Sequence, residues 1–150
     1  MIHTGLISMH IAQMGPIGHM KAPGTMATIC TMPLVLLLPT LVPNNYAHAL
    51  FLIILALIAR IIIKRACTHI NNDQDPSSIV VDELMGTLIT FWALPLTVPI
   101  IISGFILFRF FDITKIAGIS YLEKYGNGWG ILLDDVAAGI ISNLLLHIFL

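Results

Sequence analysis

Five carboxylates stand where apolar runs begin or end: Asp82 and Glu83, then Asp112, then Asp134 and Asp135. A charge beside hydrocarbon is expensive, so acids kept there are usually paired or functional. Adjacent acids also repel and raise one another's pKa unless a cation neutralises them. Two such pairs plus a fifth acid exceed what Arg109 and Lys115 can balance, which points to a hard divalent cation. An all-oxygen donor set suits Mg2+, which is commonly shared with a phosphate. Arg109, Asp112 and Lys115 recur at intervals of three and so share roughly one helix face. A cation, an acid and a second cation at a membrane surface can hold a phosphate beside a metal. Each pattern also has a plainer reading. Asp82 and Glu83, after Pro76-Ser77-Ser78, suit the first turn of a helix, and Arg109, Asp112 and Lys115 suit an exposed salt-bridge ladder.

The elements that must position these groups are apolar. Hydrophobic residues make up 57% of the 150 and charged ones 10%, with a mean hydropathy of +0.95, where a soluble domain is roughly 25% charged. This composition is that of a membrane protein. Charge-free stretches over 22–59, 84–108 and 136–150 leave no room for a separate soluble unit, so 1–150 reads as one domain. A net charge of −1 provides no basic patch for a nucleic-acid backbone. Cys30 and Cys67 have neither metal-ligand nor disulfide-scaffold spacing. Residues 1–20 carry no Lys or Arg, and His10, Gln13, Gly15 and Pro16 interrupt them, so they do not read as a signal peptide.

Prolines divide the long apolar segments, and proline breaks or kinks helices. One straight helix over 84–108 would hold Asp82 and Asp112 roughly 40 Å apart. A turn at Pro95 to Pro99 instead makes two half-length helices of about a dozen residues each, with both charged ends on one side. Likewise Thr25 to Leu38 descends, Pro39 to Asn45 turns, and Tyr46 to Arg65 returns. The expected fold is therefore all-α, a compact membrane bundle of proline-turned helical hairpins with the charged groups at one face. The positive-inside rule places that face, with Arg60, Lys64, Arg65, Arg109, Lys115 and Lys124, in the cytoplasm. A last helix starting at Asp134 falls short of the roughly 20 residues needed for a crossing unless 131–133 join it. Gly86 and Gly139 suggest close helix packing, and Trp92, Trp129, Tyr46, Tyr121 and Tyr125 suit interfacial anchoring. Of the histidines, only His19 and His69 lie near the expected site.

Three blocks carry a family resemblance: Asp75-Pro76-Ser77-Ser78-Ile79-Val80-Val81-Asp82-Glu83-Leu84-Met85-Gly86, Phe105 to Lys115, and Gly128-Trp129-Gly130-Ile131-Leu132-Leu133-Asp134-Asp135 through Gly139. Together with Pro23-Gly24-Thr25 near the N-terminus, they resemble the signature blocks of the phosphatidylglycerophosphatase A family, in order and over nearly the whole chain. The resemblance implies a bacterial inner-membrane, all-helical enzyme that uses Mg2+ to remove the terminal phosphate from phosphatidylglycerophosphate, giving phosphatidylglycerol. It implies Asp82, Glu83, Asp112, Asp134 and Asp135 as catalytic acids, with Glu83, Asp112, Asp134 and Asp135 as metal ligands. It further implies Thr25, Arg109 and Lys115 on the phosphate side. The chain departs from the family where Ile116-Ala117-Gly118-Ile119 replaces a run with two prolines, where Asn127 replaces a glycine, and where Met20 replaces a proline.

The expected function is thus Mg2+-dependent hydrolysis of a lipid phosphomonoester, by in-line attack of water or through an aspartyl-phosphate. Two other classes compete with it. A small cation transporter would put acids at mid-membrane depth, and a non-catalytic assembly subunit would tolerate loss of Asp112 or Asp134. If the acids serve chemistry, Asp112→Asn and Asp134→Asn should abolish turnover without lowering metal-free stability.

Overall fold

The computed structural model describes residues 2–68, 76–126 and 128–149. Among these it contains six α-helices and no strand: α1 (Ile2–Ala12), α2 (Pro23–Leu41), α3 (Asn45–Cys67), α4 (Val81–Thr90), α5 (Val98–Thr114) and α6 (Trp129–Ile148). The all-helical reading holds. The helices α2, α3 and α6 are long and apolar enough to cross a membrane, at 19, 23 and 20 residues. Their outward faces carry exposed Leu34, Leu37, Ile53, Leu57, Ile61, Ile140 and Leu144, side chains that suit hydrocarbon rather than water.

Local chemistry explains most boundaries. After α1, Met14 and Gly15 take positive φ, of 48° and 65°, which ends the helix, and Pro16 leads into a short 3-10 turn at Ile17–His19. Pro23 occupies the first turn of α2, where its missing N–H costs nothing. The turn to α3 is Val42-Pro43-Asn44. There the Asn44 side chain accepts hydrogen bonds from the N–H groups of Tyr46 (2.9 Å) and Ala47 (3.1 Å), capping α3.

Pro39, expected to open the turn, corrects that boundary, because it lies inside α2 as Pro33 does and the helix runs to Leu41. In an apolar setting a broken helix exposes backbone groups that nothing else satisfies, so the helix bends past proline rather than ending. The second hairpin is also unequal. Its first arm, α4, has 10 residues and α5 has 17, since Trp92, Ala93 and Leu94 already belong to the connection and Pro99 belongs to α5. The two hairpin connections lie together, with Trp92 Nε1 donating to the Asn45 carbonyl at 3.3 Å.

Short α4 sits at the centre, packed against α2, α3, α5 and α6. Met85, Gly86, Thr87, Leu88 and Thr90 are all buried there. Its carbonyl end is closed from α6, where Asn143 Nδ2 donates to the carbonyls of Thr90 (3.0 Å) and Trp92 (2.8 Å).

The expected glycine contact is real. A Cβ at Gly139 would stand 2.5 Å from the Gly86 carbonyl oxygen, and one at Gly86 would stand 2.7 Å from the Asp135 carbonyl oxygen. The two backbones touch because neither carries a side chain. Gly139→Ala should therefore destabilise the protein by about 1–3 kcal/mol, a cost to be read as a lower melting temperature in detergent. An unchanged melting temperature would show that α4 and α6 have room to part.

Candidate active site

A cavity of about 570 Å³ opens where the start of α2, the start of α4, the end of α5 and the second turn of α6 converge. It is lined by Pro23, Gly24, Asp82, Glu83, Arg109, Asp112, Lys115, Asp134 and Asp135. All five expected acids thus meet in one place. Asp82 and Asp112 face the same cavity, as the proline turn between α4 and α5 requires.

Helix geometry aims each group. Asp82 and Glu83 occupy the first turn of α4, but the N-cap is Val80 and no side chain caps the helix, so neither acid serves as its cap. Asp134 and Asp135 are not at a helix start, as the sequence suggested. The last helix begins five residues earlier at Trp129, behind Gly128 in the left-handed conformation (φ 77°). That start gives α6 its crossing length and carries the two acids one turn into buried territory.

The acids divide into two sets. One carboxylate oxygen each from Asp82, Glu83 and Asp135 lies within 4.8 Å of the others. Asp82 Oδ1, Glu83 Oε2 and Asp135 Oδ2 are buried without a hydrogen-bond partner, although Asp135 is only 2% exposed. Buried orphan oxygens in one cluster call for an explanation. A hard divalent cation satisfies all three, so these residues fit one. Burial, and then the Glu83 charge, pushes the Asp82 carboxyl well above the usual range. Burial also raises Glu83, against the pull of its hydrogen bond with Asp82 and of Arg109.

Asp112 and Asp134 belong to the other set, held by cations. Arg109 Nη1 donates to Asp112 Oδ2 at 2.6 Å and lies 3.9 Å from Glu83 Oε1, bridging α5 to α4. Lys115 Nζ pairs with Asp134 Oδ2 and stands 3.9 Å from Asp112 Oδ1, bridging α5 to α6. The expected contacts at spacing three, Arg109 with Asp112 and Asp112 with Lys115, are present, but they are mostly buried and extend to α4 and α6. The side chains of Arg109, Asp112 and Lys115 are only 15, 11 and 27% exposed, and Lys115 is no longer helical. Its φ of 51° bends the chain out of α5 in a conformation that costs a non-glycine residue energy, the kind of strain found at functional sites. Burial draws the Lys115 pKa down, but the hydrogen bond and charge of Asp134 outweigh it and leave the ammonium more firmly protonated than usual.

This division differs from the expected ligand set in two ways. Asp82, expected among the catalytic acids alone, joins Glu83 and Asp135 in the cluster, while Asp112 and Asp134 are ion-paired. Thr25 is half-buried in the first turn of α2, and the residues of that block that line the cavity are Pro23 and Gly24. His19 is exposed and does not line the cavity. His69, Asp75 and Asn127 lie outside the described residues.

In the sequence Gly24 stands out only as part of the Pro23-Gly24-Thr25 block, with no role of its own. A Cβ there would collide with Glu83 Oε1 and come within 2.8 Å of Arg109 Nη1. The only signal was Pro-Gly at a helix start, which permits close approach. Gly24→Ala should lower turnover about tenfold or more by displacing Glu83 and Arg109, while alanine's better helix propensity keeps the fold. Turnover within twofold of wild type would show that Glu83 and Arg109 yield freely.

The chain matches the family described as phosphatidylglycerophosphatase A over residues 10–150. It is 30% identical to phosphatidylglycerophosphatase A of Escherichia coli K12, over 83% of this chain and 72% of that protein. It is 48% identical to phosphatidylglycerophosphatase A of Haemophilus influenzae, over 46% of this chain and 44% of the relative. A putative phosphatidylinositol-3-phosphatase of Bacteroides thetaiotaomicron is 40% identical over 50% of this chain and 49% of that protein. The chain thus spans about half the length of these last two relatives. No solved structure matches it significantly. With the acidic blocks gathered in one cavity and the match running from residue 10 to the last residue, the chain belongs to the phosphatidylglycerophosphatase A family.

Proposed function

We propose that this protein is a Mg2+-dependent lipid phosphomonoesterase that converts phosphatidylglycerophosphate to phosphatidylglycerol and phosphate at the cytoplasmic face of a bacterial inner membrane. The observation that carries this reading is a cluster of three carboxylates with orphaned oxygens, set beside two cations in an open cavity. Asp82, Glu83 and Asp135 would hold Mg2+. When bound, the cation supplies positive charge for the phosphoryl oxygens and polarises the attacking water.

The chain's own residues do the rest. Arg109 and Lys115 face the same cavity and offer N–H donors to phosphoryl oxygens, where charge is greatest during transfer. Asp112 and Asp134 orient those cations from below, which keeps them in place before the substrate arrives. A free carboxylate oxygen of the cluster takes the proton of the attacking water, and the lipid oxygen leaves with a proton from solvent. Family membership and the lipid-facing helices support a phospholipid substrate reached from the bilayer.

The test is phosphate release by the purified protein from phosphatidylglycerophosphate and from phosphatidylinositol 3-phosphate, each with and without Mg2+. Release from the first substrate that is abolished by chelation and restored by Mg2+ is the expected result. Release only from the inositol lipid would redirect the substrate. Release from neither would leave the transporter or assembly reading in its place.

A further inference from the structure

On α5, Pro99, Ser103, Ile106, Phe110 and Ile113 follow one another at steps of four, three, four and three, which keeps them on a single helix face. That face is open. Ile106 is 59% and Ile113 68% exposed, Pro99 and Ser103 are exposed as well, and among the described residues no helix covers it. Its two ends differ. At one end Pro99, Ser103, Ile106 and Leu107, together with Leu146 of α6 and Phe149 just beyond it, line a groove of about 580 Å³. At the other end Ile113 lines the polar cavity that holds the carboxylates. From Pro99 to Ile113 the stripe advances about 21 Å at helical rise.

We infer that this groove and stripe seat one acyl chain of the lipid substrate, which rests on the phosphatase reading above. The geometry points to that occupant because the track is apolar apart from Ser103 and ends beside Arg109 and Lys115. A molecule with a phosphate at one end and a long hydrocarbon at the other matches both ends at once. An apolar cavity of about 250 Å³ between α3, α4 and α6 shares no lining residue with the polar cavity; neither does the α5 groove, but Phe110 and Ile113 continue its helix face to that cavity. Ser103 lines the groove with a small side chain, so a bulky residue there should exclude the chain.

Kinetic and labelling experiments test the seat separately. Ser103→Trp and Ile106→Trp should raise KM for a long-chain phosphatidylglycerophosphate about fivefold or more at unchanged kcat, the mark of lost uniform binding. Both constants for a short-chain, water-soluble analogue should stay as in wild type, which also reports an intact fold. Leu37→Trp, on the exposed face of α2, should change neither. Equal effects on both substrates, or none, would overturn the seat. In parallel, phosphatidylglycerophosphate bearing a diazirine in one acyl chain, at trace mole fraction in phosphatidylcholine vesicles, should label residues 99–113 well above α2 and α3. Even labelling would overturn the seat. Because labelling needs no turnover, a protein that hydrolyses no phosphatidylglycerophosphate would refute the phosphatase reading while the labelling pattern still decides the seat.

Discussion

Asp135→Asn should abolish phosphate release, lowering turnover by about a thousandfold or more, and yet raise the melting temperature of the metal-free protein. The two effects share one cause. Asp135 is 2% exposed, its Oδ2 has no hydrogen-bond partner, and its nearest ionisable neighbours in the cluster, Asp82 and Glu83, carry the same sign. Without a cation, three carboxylates in one buried place destabilise the fold, and a neutral amide of the same shape relieves about 1 kcal/mol or more of that repulsion. With a cation the sign reverses. A ligand bound to the native state at a hundred times its Kd stabilises by about 2.7 kcal/mol, so Mg2+ should raise the melting temperature of wild type and do little for the variant. The measurement is thermal unfolding in detergent with chelator and with Mg2+, beside a phosphate-release assay. A variant that melts lower than wild type in chelator would mean that Asp135 is a structural partner after all.

Arg109→Ala is expected to fail in the opposite way, losing both activity and stability. Its guanidinium is shared by Asp112 at 2.6 Å and Glu83 at 3.9 Å, and removing it leaves both carboxylates short of a cation in a mostly buried site. Breaking a buried pair from one side costs about 3–5 kcal/mol. The partial exposure of these side chains reduces that figure, so a loss of about 2 kcal/mol is expected here. Turnover should fall by about a hundredfold or more, because the same group is aimed at the phosphoryl oxygens. Arg109→Lys should recover part of the stability and little of the activity, since an ammonium cannot reproduce the planar fork. Arg109→Ala melting with wild type would refute the bridging role. The contrast between Asp135 and Arg109 also revises the expectation for Asp112→Asn and Asp134→Asn. Both acids are ion-paired, so their loss should lower stability as well as activity.

The membrane class, the helical content and the positions of the hairpin turns were legible in the residues, because hydropathy and proline act over a few neighbours at a time. So was the gathering of the five acids. Once the chain between Asp82 and Asp112 must turn back at Pro95 to Pro99, helical rise leaves them on the same side. Pro39 misled because the usual effect of proline assumes water, which satisfies the backbone groups a broken helix exposes. Inside an apolar bundle that option is missing and α2 continues through it. The start of α6 was misplaced for a related reason. The acids look like a helix start in sequence, whereas the left-handed Gly128 is what begins the helix.

Which acid meets which cation was decided only in three dimensions. Spacing put Arg109, Asp112 and Lys115 on one face of one helix, but Lys115 leaves that helix through a left-handed backbone and reaches Asp134 on another. Asp82 joins Glu83 and Asp135 because α4 and α6 touch at Gly86 and Gly139, a contact measured in fractions of a side chain. Asn143 closes α4 from a position 53 residues away from Thr90 in sequence. Composition and periodicity describe what each segment prefers by itself. Whether a carboxylate ends up ion-paired or orphaned depends on distances of a few ångströms between segments, and electrostatic energy in a poorly solvated site changes steeply over that range.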